Sequence, residues 1–348
     1  MGEKDVRGEG EPMSVWGWVR TRAAGGGGAD GAPGAGAAGP SAASAKGQAS
    51  AAGQASAAGQ TPSSRAGVVL ACGGSATGAL SASYRPLLED VRRARPGVPV
   101  ELAVVGEPGR LPDGREVRSV SQALDALARA GAVRAAVQPA LVADGPELAL
   151  LSAEAALARP GLEGVALGRP LVSRASDARR LAEVLCRALP RGRNAVTVLV
   201  GGDSSTGGGA HGAGATGAGA LRLLEVALQG RGRPDLWVCP LGADPTDLLR
   251  RVAEEAPCAF TVRLVPLMMA PGGLELSRIG AEEGEGLRAA LERSLYGVEV
   301  AGDGLVSLAG ACALLLEHLD EALRGLGGGV PGGAPEAGAA ASGAKTCE

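Results

Sequence analysis

Only two histidines, His211 and His318, stand in this chain, with six cysteines at Cys72, Cys186, Cys239, Cys258, Cys312 and Cys347. Imidazole is the side chain that both ligates transition metals and accepts protons near neutral pH, so its scarcity bounds the chemistry at once. His318 lies in the helical pattern LLLEHLDEAL and reads as a helix-surface residue. His211 lies in Gly207-Gly-Gly-Ala-His-Gly-Ala-Gly, just after an apolar strand. It is a candidate ligand, but a run this rich in glycine offers nothing to hold the ring, so a plain loop is the preferred reading. No two cysteines form Cys-x-x-Cys, which argues against a zinc knuckle or redox dithiol. Four of them sit in apolar segments as small buried thiols, as expected for a reduced, cytoplasmic protein.

The carboxylates Asp203, Asp244, Glu147 and Glu275 are the other candidate ligands, and paired carboxylates suit hard ions such as Mg²⁺ and Mn²⁺. Asp244 precedes Pro245 and reads first as a helix cap. Gly73-Gly74-Ser75 and Gly201-Gly202-Asp203-Ser204-Ser205 look like anion-cradling turns. Neither fits GxxxxGK[ST], so a nucleotide site is not indicated. Met268 and Met269 are soft donors whose first reading is core packing. The run Glu282-Glu283-Gly284-Glu285 reads as the acidic first turn of a helix. The stretch VRLVPLMMAPGG at 262–273 is a buried strand that stops at Pro266 and opens into a loop. Such loops, at the carboxyl ends of parallel strands, build binding crevices, yet this one carries no reactive side chain.

Strands and helices alternate from 65 to 326 and supply the frame. Apolar runs at 66–72, 100–105, 133–138 and 165–167 read as strands, and 84–94, 119–130 and 177–188 as helices. Ser119 with Gln122 forms a capping box, and Ser176 is the expected cap of the 177–188 helix. The alternation restarts with strands at 195–200, 236–241, 259–265 and 298–300, and helices at 221–228, 244–256, 287–295 and 306–326. Two successive sets imply two similar parallel-sheet α/β domains, 65–191 and 192–326, facing a central cleft. Residues 21–64 are dominated by Ala, Gly, Ser and Gln and the stretch from about 327 reads the same way, so 1–64 and 327–348 are expected to be a disordered arm and tail. A net charge of −3 offers no basic block for nucleic acid, and no apolar run is long enough to span a membrane.

Three strand-end segments carry a family pattern: VRAAVQPALVADGPEL from Val133, AVTVLVGG from Ala195, and VRLVPLMMAPGGLELSRIGAEEGEGLR from Val262. In this order they resemble the anaerobic cobalt chelatases, the sirohydrochlorin cobaltochelatases of the ferrochelatase fold group, over residues 66–324. The resemblance implies two α/β domains gripping a tetrapyrrole, with Co²⁺ as substrate and no tightly bound cofactor. It implies an activity of Co²⁺ insertion in anaerobic cobalamin biosynthesis. Glu147 and Met268 stand at family positions, and with Gly73, Gly74 and Ser75, whose backbone amides suit a tetrapyrrole carboxylate, they are the candidate substrate contacts. The family's metal-side His and Glu residues fall here on Gly202, Gly242 and Leu274, with Leu141 and Ser307 at two further expected positions. None of these binds Co²⁺ usefully or accepts a pyrrole proton at pH 7, so the metal-insertion step is expected to be impaired, with His211 as the one substitute imidazole. A non-catalytic tetrapyrrole binder, homo-oligomeric or partnered with an active chelatase, is the alternative.

Overall fold

The computed structural model describes residues 18–20, 66–73, 78–105, 109–110, 116–157, 160–203, 214–282, 284 and 286–327. His211, Gly74 and Ser75 lie outside these residues.

Two sheets form the frame. The first runs through β2 (Ala66–Cys72), β3 (Val100–Val104), β5 (Glu116–Ser119), β6 (Arg134–Ala140) and β7 (Gly164–Leu167), all parallel, in the order β5-β3-β2-β6-β7. The second runs through β8 (Ala195–Asp203), β9 (Leu236–Leu241), β10 (Thr261–Pro266) and β11 (Gly297–Ala301), parallel, in the order β11-β10-β8-β9. Short antiparallel strands extend one edge of each: β4 (Gly109–Arg110) on β5, and β1 (Trp18–Arg20) on β11. The central strands are buried on both faces, as in β2 with Val68, Val69, Leu70, Ala71 and Cys72 all enclosed. Covering helices on both faces leave no solvent side, which is why these strands read as continuous apolar runs.

β1 corrects the expectation that all of 1–64 is disordered. Trp18, Val19 and Arg20 pair with Ala301, Val300 and Glu299. Their high β propensity and an open strand edge are sufficient reason, and the low glycine-rich complexity begins only after them.

The connecting helices follow their local signals. α1 is Gly78–Ala94, and α2 is Val120–Arg129 with the Ser119–Gln122 capping box closed in both directions. α3 (Pro146–Ala156) starts at an uncapped Gly145 with Pro146 in its first turn. α4 (Ala175–Ala188) begins earlier than expected. Its orphan amide is met by Asp177, which reaches back to Arg174 N at 3.0 Å, and Ser176 is not the cap. α5 is Gly214–Gly230. α6 (Pro245–Glu255) is capped by Asp244, which accepts from Thr246 N at 2.8 Å. α7 (Gly273–Gly280) and α8 (Leu287–Arg293) follow β10, and α9 (Ala309–Gly327) closes the fold behind a 3₁₀ turn at Leu305–Ser307.

The two halves exchange helices. α9, last in the chain, lies on β6 and β7 of the first sheet, where Leu319 and Ala322 join Val68, Val91 and Ala136. α4, last of the first half, packs on α5 and α9, and its Leu181 and Leu185, with Leu189 just after it, share one apolar cluster with Leu199, Leu224, Leu228 and Leu236. Burying each such leucine is worth about 1.5–3 kcal/mol, so the exchange fixes the halves against each other.

Candidate functional site

The carboxyl ends of β2 and β6 and the loop after β10 meet at one side chain, Tyr84 of α1. Tyr84 is 1% exposed. Its hydroxyl approaches the Ala140 carbonyl at the end of β6 at 3.5 Å and takes a backbone hydrogen bond from Ala270, in the loop after β10. One phenol thus ties the end of the first sheet to the 267–271 loop of the second. Burial, then the neighbouring Cys72, Glu147 and Cys312, push its ionisation well above the usual tyrosine range, while the Ala270 bond pulls the other way. The group therefore stays protonated and serves as a donor.

Glu147 stands beside this junction. It lies in the first turn of α3, where the helix dipole favours a carboxylate. A Cβ placed on Gly73 would lie 2.8 and 2.9 Å from the two Glu147 carboxylate oxygens and 2.7 Å from Leu141 Cδ2. The missing side chain at Gly73 is what lets Glu147 fold over the end of β2. Glu147 retains solvent contact, whereas Leu141, 8% exposed, is a packing residue. The buried thiols here are poor ligands. Burial pushes Cys72 up to about 12 and Cys312 up to about 11, so both remain protonated at neutral pH.

On the second half the site is built from main chain. Gly201 meets the 267–271 loop so closely that a Cβ would lie 2.2 Å from the Leu267 carbonyl oxygen. Gly202 follows at φ +71°, and its Cβ position is 2.8 Å from Leu221 Cδ1. Gly242, just past β9, has φ +87°. Both are in the left-handed region that side-chain-bearing residues avoid. Leu305 N and Val306 N bond the carbonyls of Met268 and Met269 at 2.9 and 2.8 Å, so the 3₁₀ turn clamps the loop. Gly304 allows this approach, since its Cβ would sit 2.4 Å from Met269 O. Met269 is buried in the core and Met268 is half-buried, so of the two Met268 is placed for contact. Leu274 falls in the first turn of α7. Ser307 spends its hydroxyl on Gly304 O at 2.7 Å. Among the described residues no three of His, Cys, Asp and Glu come together as a metal site.

His318 is not where its sequence placed it. It is 2% exposed, between α9 and α4, with Nε2 3.6 Å from Asp177 Oδ1. Burial, then the Arg169 guanidinium, lower its pKa despite the opposing pull of Asp177. At 3.6 Å the Asp177 oxygen is too far for a hydrogen bond, and Arg169 binds the same carboxylate at 3.0 Å, so burial prevails. The imidazole is therefore neutral and structural. Asp244 is likewise committed to its cap, while Gly73, Glu147, Met268, Gly202, Tyr84 and the 304–307 turn gather around the ends of the two sheets.

Sequence reasoning missed Tyr84, which carries no motif; one buried phenol in a chain with two tyrosines was the available signal. No described helix is long and apolar enough to cross a membrane. A search of the curated proteins finds no match. Among solved structures the chain is similar to SirB from Bacillus subtilis with Fe³⁺, at 16% identity over 75% of this chain and 97% of that one, with a TM-score of 0.49. It is also similar to DR2241 from Deinococcus radiodurans, a multi-domain protein described as structurally similar to chelatases. That match has 18% identity over 73% of this chain and 54% of the other, with a TM-score of 0.46. The sequence model of the cobalt chelatase (CbiK) family matches residues 107–324, most of the two-sheet body, and the chain belongs to that family.

Proposed function

We propose that this family member binds a sirohydrochlorin-type tetrapyrrole at the ends of the two sheets and does not insert Co²⁺ by imidazole chemistry. The observation that carries the reading is the backbone at Gly202 and Gly242. Where the family resemblance assigns a His and a Glu, the chain adopts conformations that favour glycine. Insertion needs a base for two pyrrole protons and ligands that hand over the ion. Among the described residues Glu147 is the carboxylate that acts on Tyr84, and it suits a hydrogen bond to a pyrrole N–H. Gly73 and Met268 complete the contact surface. The role fits a cytoplasmic carrier, or a regulatory partner of an active chelatase, in a cobalamin pathway.

The rival reading is a chelatase that uses Glu147, Asp203 or His211 in place of the missing imidazoles, with Co²⁺ as substrate. Family membership favours it. Absorption titration with sirohydrochlorin, with and without Co²⁺, separates the two. The binder gives a saturable spectral shift at micromolar concentrations and a Co²⁺ insertion rate equal to the protein-free control. Accelerated insertion selects the rival, and no spectral change rejects both.

A further inference from the structure

A groove of about 500 Å³ lies between α5 and the segments after β6 and β7. Its floor is apolar, from Val172, Gly219, Ala220, Leu223 and Val226. Gly219, Leu223 and Val226 fall four and three residues apart and form one stripe of α5. The opposite stripe, Leu221, Leu224 and Leu228, is buried in the core. Leu223 is 44% exposed and Val226 59%, so α5 is apolar on a face that the described residues leave open. The groove also holds Asp144 and Arg222, and neither has an ion pair among the described residues.

We propose that this groove is a two-fold interface and that its occupant is the same groove of a second copy. A two-fold contact must be self-complementary: what residue i offers, residue j must accept, twice. One apolar stripe with one free cation and one free anion meets that condition. Leu223 and Val226 of the two α5 helices pack on each other, and Arg222 of each copy meets Asp144 of its partner. A partner protein of single charge sign would leave one of these groups unmatched. Arg222 is suited to the role, since its guanidinium holds a carboxylate in a bidentate fork.

Sedimentation equilibrium of the full chain tests this. A reversible dimer is expected at concentrations up to about 100 µM. Each single reversal, Arg222→Asp or Asp144→Arg, creates two like-charge contacts by symmetry and raises the dimer Kd at least about tenfold. The double reversal restores it, which a merely structural effect of either side chain would not do. A protein that stays monomeric overturns the proposal. So does a dimer indifferent to both reversals, or a double variant as weak as the singles. If a reversal does not fold, Arg222→Gln and Asp144→Asn carry the test, and each must weaken the dimer. None of these outcomes depends on whether a tetrapyrrole binds.

Discussion

Restoring the missing imidazole by Gly202→His is the sharpest test of the site. At φ +71° any residue with a Cβ pays a left-handed penalty of about 1–2 kcal/mol. The new Cβ also lies 2.8 Å from Leu221 Cδ1, the far end of a movable side chain, so that clash relaxes at small additional cost. Gly202→Ala carries the same backbone penalty and the same Cβ contact without the imidazole, and is the reference. By calorimetry both variants should melt lower, Gly202→Ala by about 2–8 °C at 2–4 °C per kcal/mol. The histidine variant should drop at least as far and still leave Co²⁺ insertion at the uncatalysed rate, because Gly242 and Leu274 bring no further ligand. The reasoning fails if Gly202→Ala melts with the parent, since the backbone would then not require glycine. It fails equally if Gly202→His alone accelerates insertion.

Two further outcomes follow from named contacts. Stability should fall as pH drops below about 6.5 and again below about 3.8, the ordinary His and Asp values. His318 and Asp177 both titrate lower when folded, so the unfolded chain binds the extra proton in each window. Besides Asp177 of α4, Arg169 and Glu321 face the ring, and thermal melts of His318→Gln should lose only the upper window; retention of that window would assign it elsewhere. Gly73→Ala should cost about 1–3 kcal/mol through crowding of Leu141 and should swing Glu147 away from β2, weakening tetrapyrrole binding as Glu147→Gln does; unchanged affinity in both variants would remove Glu147 from the site.

The sequence carried the frame because its signals were local. Continuous apolar runs, period-3.6 helical patterns, the Ser119 box and the Asp244 cap all act within a few residues, and each appears where its pattern stands. What it hid was long-range. His318 looked like a surface residue because Glu317 and Asp320 flank it, yet α9 is held between the first sheet and α4. Leu319 and Ala322 face one, while Ala311, Leu314 and Leu315 join the cluster of the other, so His318 is enclosed with them. Ser176 lost the cap to Asp177 because Arg169 and Ser173 also bind that carboxylate, an arrangement made by the turn after β7. β1 pairs with a strand close to the other end of the chain, and no local pattern specifies that register. The glycines were visible as letters, but their φ angles were not.

Those angles change what the substitutions mean. Replacing a ligand by glycine in an unchanged backbone would leave a hole that a single reversion refills. Here the second-half loops are drawn together main chain to main chain. Gly201 lies against Leu267, Gly304 against Met268 and Met269, and the Leu305 and Val306 amides bond the same two carbonyls. The close contacts exclude a Cβ at Gly201 and Gly304, and the backbone conformation disfavours one at Gly202 and Gly242. An imidazole returned to this backbone meets strain before it meets a metal. On the proposed reading, such a surface holds a flat ligand through backbone groups and Glu147 rather than exchanging its protons for an ion.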